Sequence, residues 1–408
     1  MSKTLFIISL KYPLINAINI KINELKNRKA DIILDGNKND YKELAERLKK
    51  TNVFENVYLV NPDGLDGIKK YFKQKGKSKF VDAINGTIKN IQLKQKFSRD
   101  KEEYVNDCIV NGLKINLHDY DELYVASESK VSWACSDILV SRKQISKIHL
   151  IEEGSRDYGY TDVIIKRRER YKDLMVVVHL YDPEIVAYDR DLPHIRFESI
   201  KKLQSDDNVL VDAVNLTFGY KREPINYNDK IIFFEQVAEP MPVYLKESSG
   251  ILRLFLHNAY KKHQKEDNLF QEKSMVIRYI LQLLKSKDIE NRFMIKLHPR
   301  TVRGVLPECV NSIMGDKNNT HTIPWEVYCL NETFKNNIWI AINSSSIVNG
   351  VVCFEKQEDV KYVMLNGCKE IINSEFTPLE CFYRNIQIKY GDMLVLPKTI
   401  KDLDEILV

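Results

Sequence analysis

Lys296 and His298 stand one residue apart in Phe293-Met294-Ile295-Lys296-Leu297-His298, an apolar run stopped by Pro299 and followed by Arg300. Side chains alternate across a strand, so an ammonium and a titratable imidazole would leave the same face. The proline, lacking an amide donor, then ends the pairing. A cation and a proton donor at the carboxyl end of a strand can stabilise a departing anion, and in open α/β sheets that end is where ligands bind. Two other runs finish in the same way. Ile148-His149-Leu150-Ile151 leads into Glu152-Glu153-Gly154-Ser155, two carboxylates able to take a proton, before a glycine that permits a sharp turn. Ile338-Trp339-Ile340-Ala341-Ile342-Asn343 leads into Ser344, Ser345 and Ser346 and then the helix-compatible Ile347-Val348. Hydroxyls and unpaired amides would meet there at a helix start, where the dipole favours a phosphate.

Each segment also has a plainer reading. His298 could lie at the surface beside a turn, and Glu152 and Glu153 could form a solvated strand end with Arg156 and Asp157 as a surface ion pair. The serines could be an ordinary cap, and Pro324-Trp325 a packing turn. In combination the three ends fill a chemical inventory: a base for an incoming hydroxyl, an acid or cation for a departing phosphate, and donors that hold that phosphate. That is the inventory for moving a glycosyl group from a phosphate-bearing donor to a hydroxyl.

The elements that must position these residues follow from length and pattern. A chain of 408 residues exceeds the size at which one core keeps growing, so two domains are expected. Hydrophobic residues at 44% and charged residues at 29% describe a globular chain and exclude a disordered one. Apolar runs alternate with amphipathic stretches. Strands are expected at Leu5–Leu10, Ile32–Leu34, Val57–Val60, Glu122–Ala126 and Lys147–Glu152, with Ile185–Tyr188 and Val209–Val214 as further candidates. Leu14–Leu25 and Tyr41–Leu48 have helical spacing, and the alternation predicts a mostly parallel α/β sheet. The pattern lapses over residues 217–226, an expected linker. It restarts with Lys230–Phe234, a helix from about Asn268 to Leu284, the His298 and Ser344 strands, Tyr362–Leu365 and a final helix at Ile400–Val408. There is no internal repeat.

The three motifs, in this order and context, resemble those of the bacterial sialyltransferases and polysialyltransferases. That group carries an acidic-acidic-glycine motif, a His-Pro motif on a Lys-x-His-Pro strand and a Ser-Ser motif; here they read Glu152-Glu153-Gly154, Lys296-Leu297-His298-Pro299 and Ser344-Ser345-Ser346. Ile323-Pro324-Trp325-Glu326 stands where the group has a glutamate at the donor's ribose. The resemblance implies a GT-B architecture, two Rossmann-like domains facing each other across a cleft. An N-terminal acceptor domain would span 1–222 and a C-terminal donor domain 223–385, with a segment 386–408 that could pack back on the first. It implies inverting transfer from CMP-sialic acid to a galactosyl or sialylated glycan in capsule or lipooligosaccharide synthesis. Carried over by position, Glu153 would be the general base and His298 the acid. Lys296, Ser344, Ser345 and Ser346 would hold the donor's phosphate and Glu326 its ribose, with Pro299, Ile323 and Pro324 also on the donor side. Glu152, Gly154 and Arg156 are weaker candidates on the acceptor side. Some members of the group place the base after the first strand of the second domain, which keeps Glu235 and Glu239 open as alternatives.

Charge and cysteines set the remaining expectations. Net charge is +5, and Lys69, Lys70, Lys73, Lys75, Lys77 and Lys79 lie together with no acidic residue among them. Such a run is usually a solvated face. It could also draw a polyanionic acceptor to Lys69 and Lys70, hence chain extension, or an anionic membrane surface, hence peripheral association at the inner face of the inner membrane. The seven cysteines are scattered, which suggests a reducing cytoplasm and no zinc site. No cofactor or metal is expected, because a CMP donor carries a single phosphate; nor is a nucleic-acid partner, since no binding motif is present. The rival classes are a metal-dependent glycosyltransferase using Asp119-Tyr120-Asp121, Asp189-Arg190-Asp191 or Asp402-Leu403-Asp404, and a non-catalytic polyanion-binding protein.

Overall fold

The structure is a computed structural model that describes residues 3–35, 40–60, 115–126, 130–141, 145, 147–172, 174–222, 225–236, 257–298, 323–355, 359–372 and 377–407. The chain divides into two compact units, Met1–Lys221 and Arg222–Val408. The first holds strands β1 (Lys3–Ile8), β2 (Lys29–Asp35), β3 (Asn56–Val60), β4 (Glu122–Val125), β5 (Lys147–Ile151), β6 (Met175–Leu180) and β7 (Ile195–Ser199). They pair in parallel in the order β3-β2-β1-β4-β5-β6-β7. Runs such as Leu5-Phe6-Ile7-Ile8 and Val176-Val177-Val178 are buried, as a parallel sheet covered on both faces requires. Its helices are α1 (Lys11–Ile20), prolonged by a π-helical turn at Lys21–Leu25, α2 (Asp40–Lys50), α3 (Lys130–Ser141), α4 (Ser155–Gly159), α5 (Asp162–Arg170) and α6 (Asn208–Phe218).

The second unit has strands β8 (Ile231–Phe234), β9 (Phe293–Lys296), β10 (Asn337–Ala341), β11 (Val360–Met364) and β12 (Leu394–Val395), all parallel, in the order β12-β11-β10-β8-β9. Helices α7 (His257–Ser286), α8 (Trp325–Asn331), α9 (Ser345–Val352), α10 (Thr377–Tyr390) and α11 (Ile400–Ile406) belong to it. The alternation of β8 sorts its two faces. Ile231 and Phe233 pack with Val276, Ile277, Ile280 and Leu284 of α7, while Phe234 meets Trp325 and Trp339 on the other face. Both units are therefore parallel α/β sheets, as the alternating pattern predicts, and among the described strands the order reverses at β1/β4 and at β8/β10. Such reversals open a crevice at the carboxyl ends of the two strands.

Two expected strands are corrected. Val209–Val214 lies inside α6: its valines suggest β structure, but Leu210, Ala213, Val214, Thr217 and Phe218 form a buried helical stripe and Asp207 caps the start by accepting the Leu210 amide. Ile185–Tyr188 does not pair; Pro183 begins a 3₁₀ turn that Asp182 caps, and β6 and β7 supply the strands on either side. The final segment is part of the second unit, with β12 at its sheet edge and Leu403 and Leu407 of the α11 region in its core. Among the described residues no helix is long and apolar enough to cross a membrane.

Candidate active site

In the first unit Glu152 follows β5 directly and is 1% exposed. Its Oε1 accepts the Tyr12 hydroxyl at 2.7 Å, and its Oε2 accepts the Tyr158 hydroxyl at 2.5 Å and the Tyr181 amide at 3.0 Å. Burial lifts its pKa to about 7, against these three hydrogen bonds, which favour the ionised form. Glu153 is half-buried, and its amide is fixed at 2.5 Å by Asp157 Oδ2. Asp157 is itself pushed up by burial to about 6, opposed by the amides it accepts from Glu153 and Gly154. Gly154 has φ 137° and ψ −160°, a conformation closed to residues with a Cβ, which turns the chain from β5 into α4. Arg156 is exposed and paired with Asp162 at 2.6 Å, so its sequence-predicted acceptor role has only surface geometry behind it. A cavity of about 80 Å³ opens beside this strand end, lined by Glu152, Glu153, Asp157, Arg167 and the wall of Val178 and Leu180. Arg167 is fully buried, donates to Ser132 Oγ at 2.8 Å and Ser136 Oγ at 3.2 Å, and lies over the Trp133 ring.

In the second unit β9 ends at Lys296, which is 7% exposed and donates to the Leu297 carbonyl at 2.9 Å. Burial lowers its pKa to about 8, opposed by the charges of Glu326 and Glu235. His298 is half-buried, and its amide donates to Glu235 Oε2 at 3.2 Å. Glu235 follows β8 directly; its Oε1 accepts the Lys273 ammonium of α7 at 2.6 Å, in a pair whose side chains are 2% and 1% exposed. Glu326 is 4% exposed, its pKa raised by burial, and accepts the amide of Asn349 in α9 at 2.7 Å. Trp325 anchors it, stacking on Tyr328 and meeting Phe234, Phe334 and Trp339 edge-on or tilted. Pro324 caps α8, and Ile323 is half-buried before it. Ser344 is the N-cap of α9, its hydroxyl accepting the Ser346 amide at 3.3 Å, and Ser345 and Ser346 are half-exposed in the first turn. Because β8 lies between β9 and β10, the order reversal brings the ends carrying His298, Glu235 and the serines side by side.

One arrangement recurs in both units. The Glu152 amide donates to the His179 carbonyl at 3.1 Å while its carboxylate accepts the Tyr181 amide; the Glu235 amide donates to the Lys296 carbonyl at 3.0 Å while its carboxylate accepts the His298 amide. The registers agree, with Ile151 beside His179 and Phe234 beside Lys296. A glutamate one residue past a parallel strand thus clamps residues j and j+2 of the neighbouring chain.

No family model matches the chain, and no curated protein matches it. Among solved structures it is similar to an α/β-galactoside α-2,3-sialyltransferase from the luminous marine bacterium Photobacterium phosphoreum, at 10% identity over 97% of this chain and 98% of that one, with a TM-score of 0.47. It is also similar to a UDP-GlcNAc 2-epimerase from Methanocaldococcus jannaschii, at 12% identity over 100% and 90% of the two chains, TM-score 0.44. A putative UDP-N-acetylglucosamine 2-epimerase from Listeria monocytogenes matches at 10% identity over 89% and 79%, TM-score 0.44.

Pro299, Glu239, Lys69 and Lys70 lie outside the described residues. The aspartate triplets have local partners: Asp119 accepts the Asn116 amide, Asp121 pairs with Arg28, Asp402 forms the capping box of α11 and Asp404 accepts the Tyr279 hydroxyl. Asp189 accepts the Asp191 amide at an exposed turn. Sequence reasoning missed Tyr12, Asn16, Lys273 and Asn349. A signal existed for three of them. Tyr12, Asn16, Asn19 and Asn23 repeat at helical spacing, and they hold Glu152, Tyr181, the Lys201 carbonyl and Asp207 in turn. Lys273 falls in register with the apolar stripe Val276, Ile280 and Leu284, where a charge needs a buried partner.

Proposed function

We propose that the chain is an inverting glycosyltransferase that moves a sialic acid from a CMP-activated donor to a hydroxyl of a galactosyl or sialylated glycan, in surface-polysaccharide synthesis. One observation carries this reading: His298 and the serine-capped start of α9 stand at the ends of β9 and β10, on the two sides of β8, at the point where the strand order reverses. In this reading the donor's phosphate sits against the amides at the start of α9 and the hydroxyls of Ser345 and Ser346, with the Ser344 hydroxyl kept for the cap. Lys296, buried at the end of β9, lends positive potential to that seat. Glu326, at 4% exposure, has little surface for a ribose; its work is to hold Asn349 and balance Lys296.

Glu153, the more exposed of the two motif carboxylates, takes the proton of the acceptor hydroxyl. The acceptor oxygen then bonds to the anomeric carbon from the face opposite the donor's phosphate. The bond to that phosphate breaks, and the imidazolium of His298 gives its proton to the departing CMP. Glu235, held by an ammonium and an amide, is poorly placed to act as the base. Chain extension and membrane association rest on the lysines of 69–79 and are proposed on charge alone; replacing four of them with glutamine should shorten products and weaken salt-sensitive liposome binding. The decisive test is incubation with CMP-sialic acid and a panel of galactosyl and oligosialyl acceptors, read by mass spectrometry. Addition of sialyl residues with release of CMP is expected; no transfer to any acceptor and no CMP release would sink the reading.

A further inference from the structure

We infer that Lys273 is a positioning residue for His298, acting through Glu235. The inference rests on the donor-site reading above. The chain of contacts is short: the Lys273 ammonium meets Glu235 Oε1 at 2.6 Å, and Glu235 Oε2 receives the His298 amide at 3.2 Å. Lys273 also reaches the Gln236 carbonyl at 3.5 Å, so it grips the backbone just past β8 as well as the carboxylate. Both side chains are almost fully enclosed, where neither charge is tolerable without the other. Removing the ammonium leaves Glu235 to protonate or turn away, and either change loosens the amide from which the imidazole hangs.

The first unit supplies an independent reason to assign the carboxylate this task. There Glu152 clamps the Tyr181 amide in the same register, supported by the Tyr12 hydroxyl in place of an ammonium. The shared element is the grip on the neighbouring chain at j and j+2, and the differing element is what steadies the carboxylate. In the second unit residue j+2 is His298, so a clamp that elsewhere fixes backbone here fixes the site's acid. Lys273 arises from the middle of α7, a helix whose stripe Val276, Ile277, Ile280 and Leu284 is packed into the core. The ammonium is thereby referenced to a helix packed into the core of the unit.

The test compares the full-length chain with Lys273→Met, Lys273→Arg and the double variant Lys273→Met/Glu235→Met, which replaces the buried pair by apolar side chains and guards against misfolding of the single variant. Two readouts are taken on variants whose circular dichroism matches the parent. Selective ¹⁵N-histidine labelling, with His298→Asn identifying the resonance, gives the exchange rate of the His298 amide. Steady-state kinetics with CMP-sialic acid give kcat and KM. In Lys273→Met and in the double variant the amide should exchange about tenfold faster. Turnover should fall by about 10²-fold in kcat, with KM for the donor nearly unchanged, and Lys273→Arg should restore much of both. An unchanged exchange rate, an unchanged kcat, or a rise in KM alone in a folded variant overturns the inference. If the parent chain turns over no CMP-sialic acid, the functional reading fails on its own, and the exchange rates still decide whether Lys273 holds His298.

Discussion

Glu152 and Glu235 occupy matching places, each one residue beyond a parallel strand and each clamping the next chain, yet their carboxylates are steadied by different chemistry. Hydroxyls and an amide surround Glu152, and burial lifts its pKa to about 7. An ammonium meets Glu235. Neutral donors let a buried carboxylate gain a proton near neutrality, whereas a buried ammonium must keep a partner beside it. The neighbouring residue differs in the same sense: at position j the first unit has His179, its pKa lowered to about 4 by burial, and the second has Lys296. The same backbone device is therefore braced by hydroxyls in one unit and by an ammonium in the other, and in the second unit it stands beside the serine-capped start of α9.

The comparison breaks most sharply at residue j+2. His298→Ala should lower kcat by about 10² to 10⁴-fold, the usual contribution of a positioned acid, whereas Tyr181→Phe keeps its amide and should leave kcat within a few-fold. Equal losses in both, measured by CMP release, would contradict the division of labour. The two glutamates come next. Glu235→Gln strands the Lys273 ammonium and should cost about 3–5 kcal/mol in urea unfolding. Glu152→Gln resembles the protonated carboxyl that the fold already prefers. With its folded pKa above the usual 4.5, the contribution of Glu152 to stability falls as pH rises from 4.5 to about 7 and is level beyond. Glu152→Gln should therefore match the parent at pH 4.5 and exceed it by about 3 kcal/mol at pH 8.

His179 works in the opposite direction. It shares a 2.7 Å hydrogen bond with His149, and burial depresses both imidazoles, so the unfolded chain takes up protons first as pH falls below 6.5. His179 alone contributes a loss of about 2 kcal/mol between pH 7 and pH 5, so the stability of His179→Gln relative to the parent should rise by about that much over the window. The smallest effect separates two serines. Ser344→Ala removes the α9 cap and should cost about 1 kcal/mol in thermal or urea unfolding; Ser345→Ala should spare stability and weaken saturable CMP binding.

Much of the scaffold was readable because parallel strands buried on both faces appear as unbroken apolar runs, and because a polar cluster where such a run stops marks its carboxyl end. Val209–Val214 misled because its valines follow β propensity while their spacing obeys a helix. At the strand ends the residue types were legible and their partners were not. Nothing local shows that the Ser344 hydroxyl caps its own helix, that Lys296 turns inward, or that Glu152 is enclosed by tyrosines from three different segments. Those facts depend on which strands become neighbours, and Lys273 and Glu235 are 38 positions apart.

Strand β1 lies between β2 and β4, pairing Thr4 with Ala30 on one side and with Glu122 on the other. During vectorial synthesis the first partner emerges almost at once. The second leaves the ribosome after a delay on the order of ten seconds at about 5–20 residues per second. Throughout that interval the edge of β1 that will meet β4 has no partner, and an unpaired strand edge is a template for pairing with another chain. Yield of this protein should thus respond to translation speed and to holdases that shield the emerging edge.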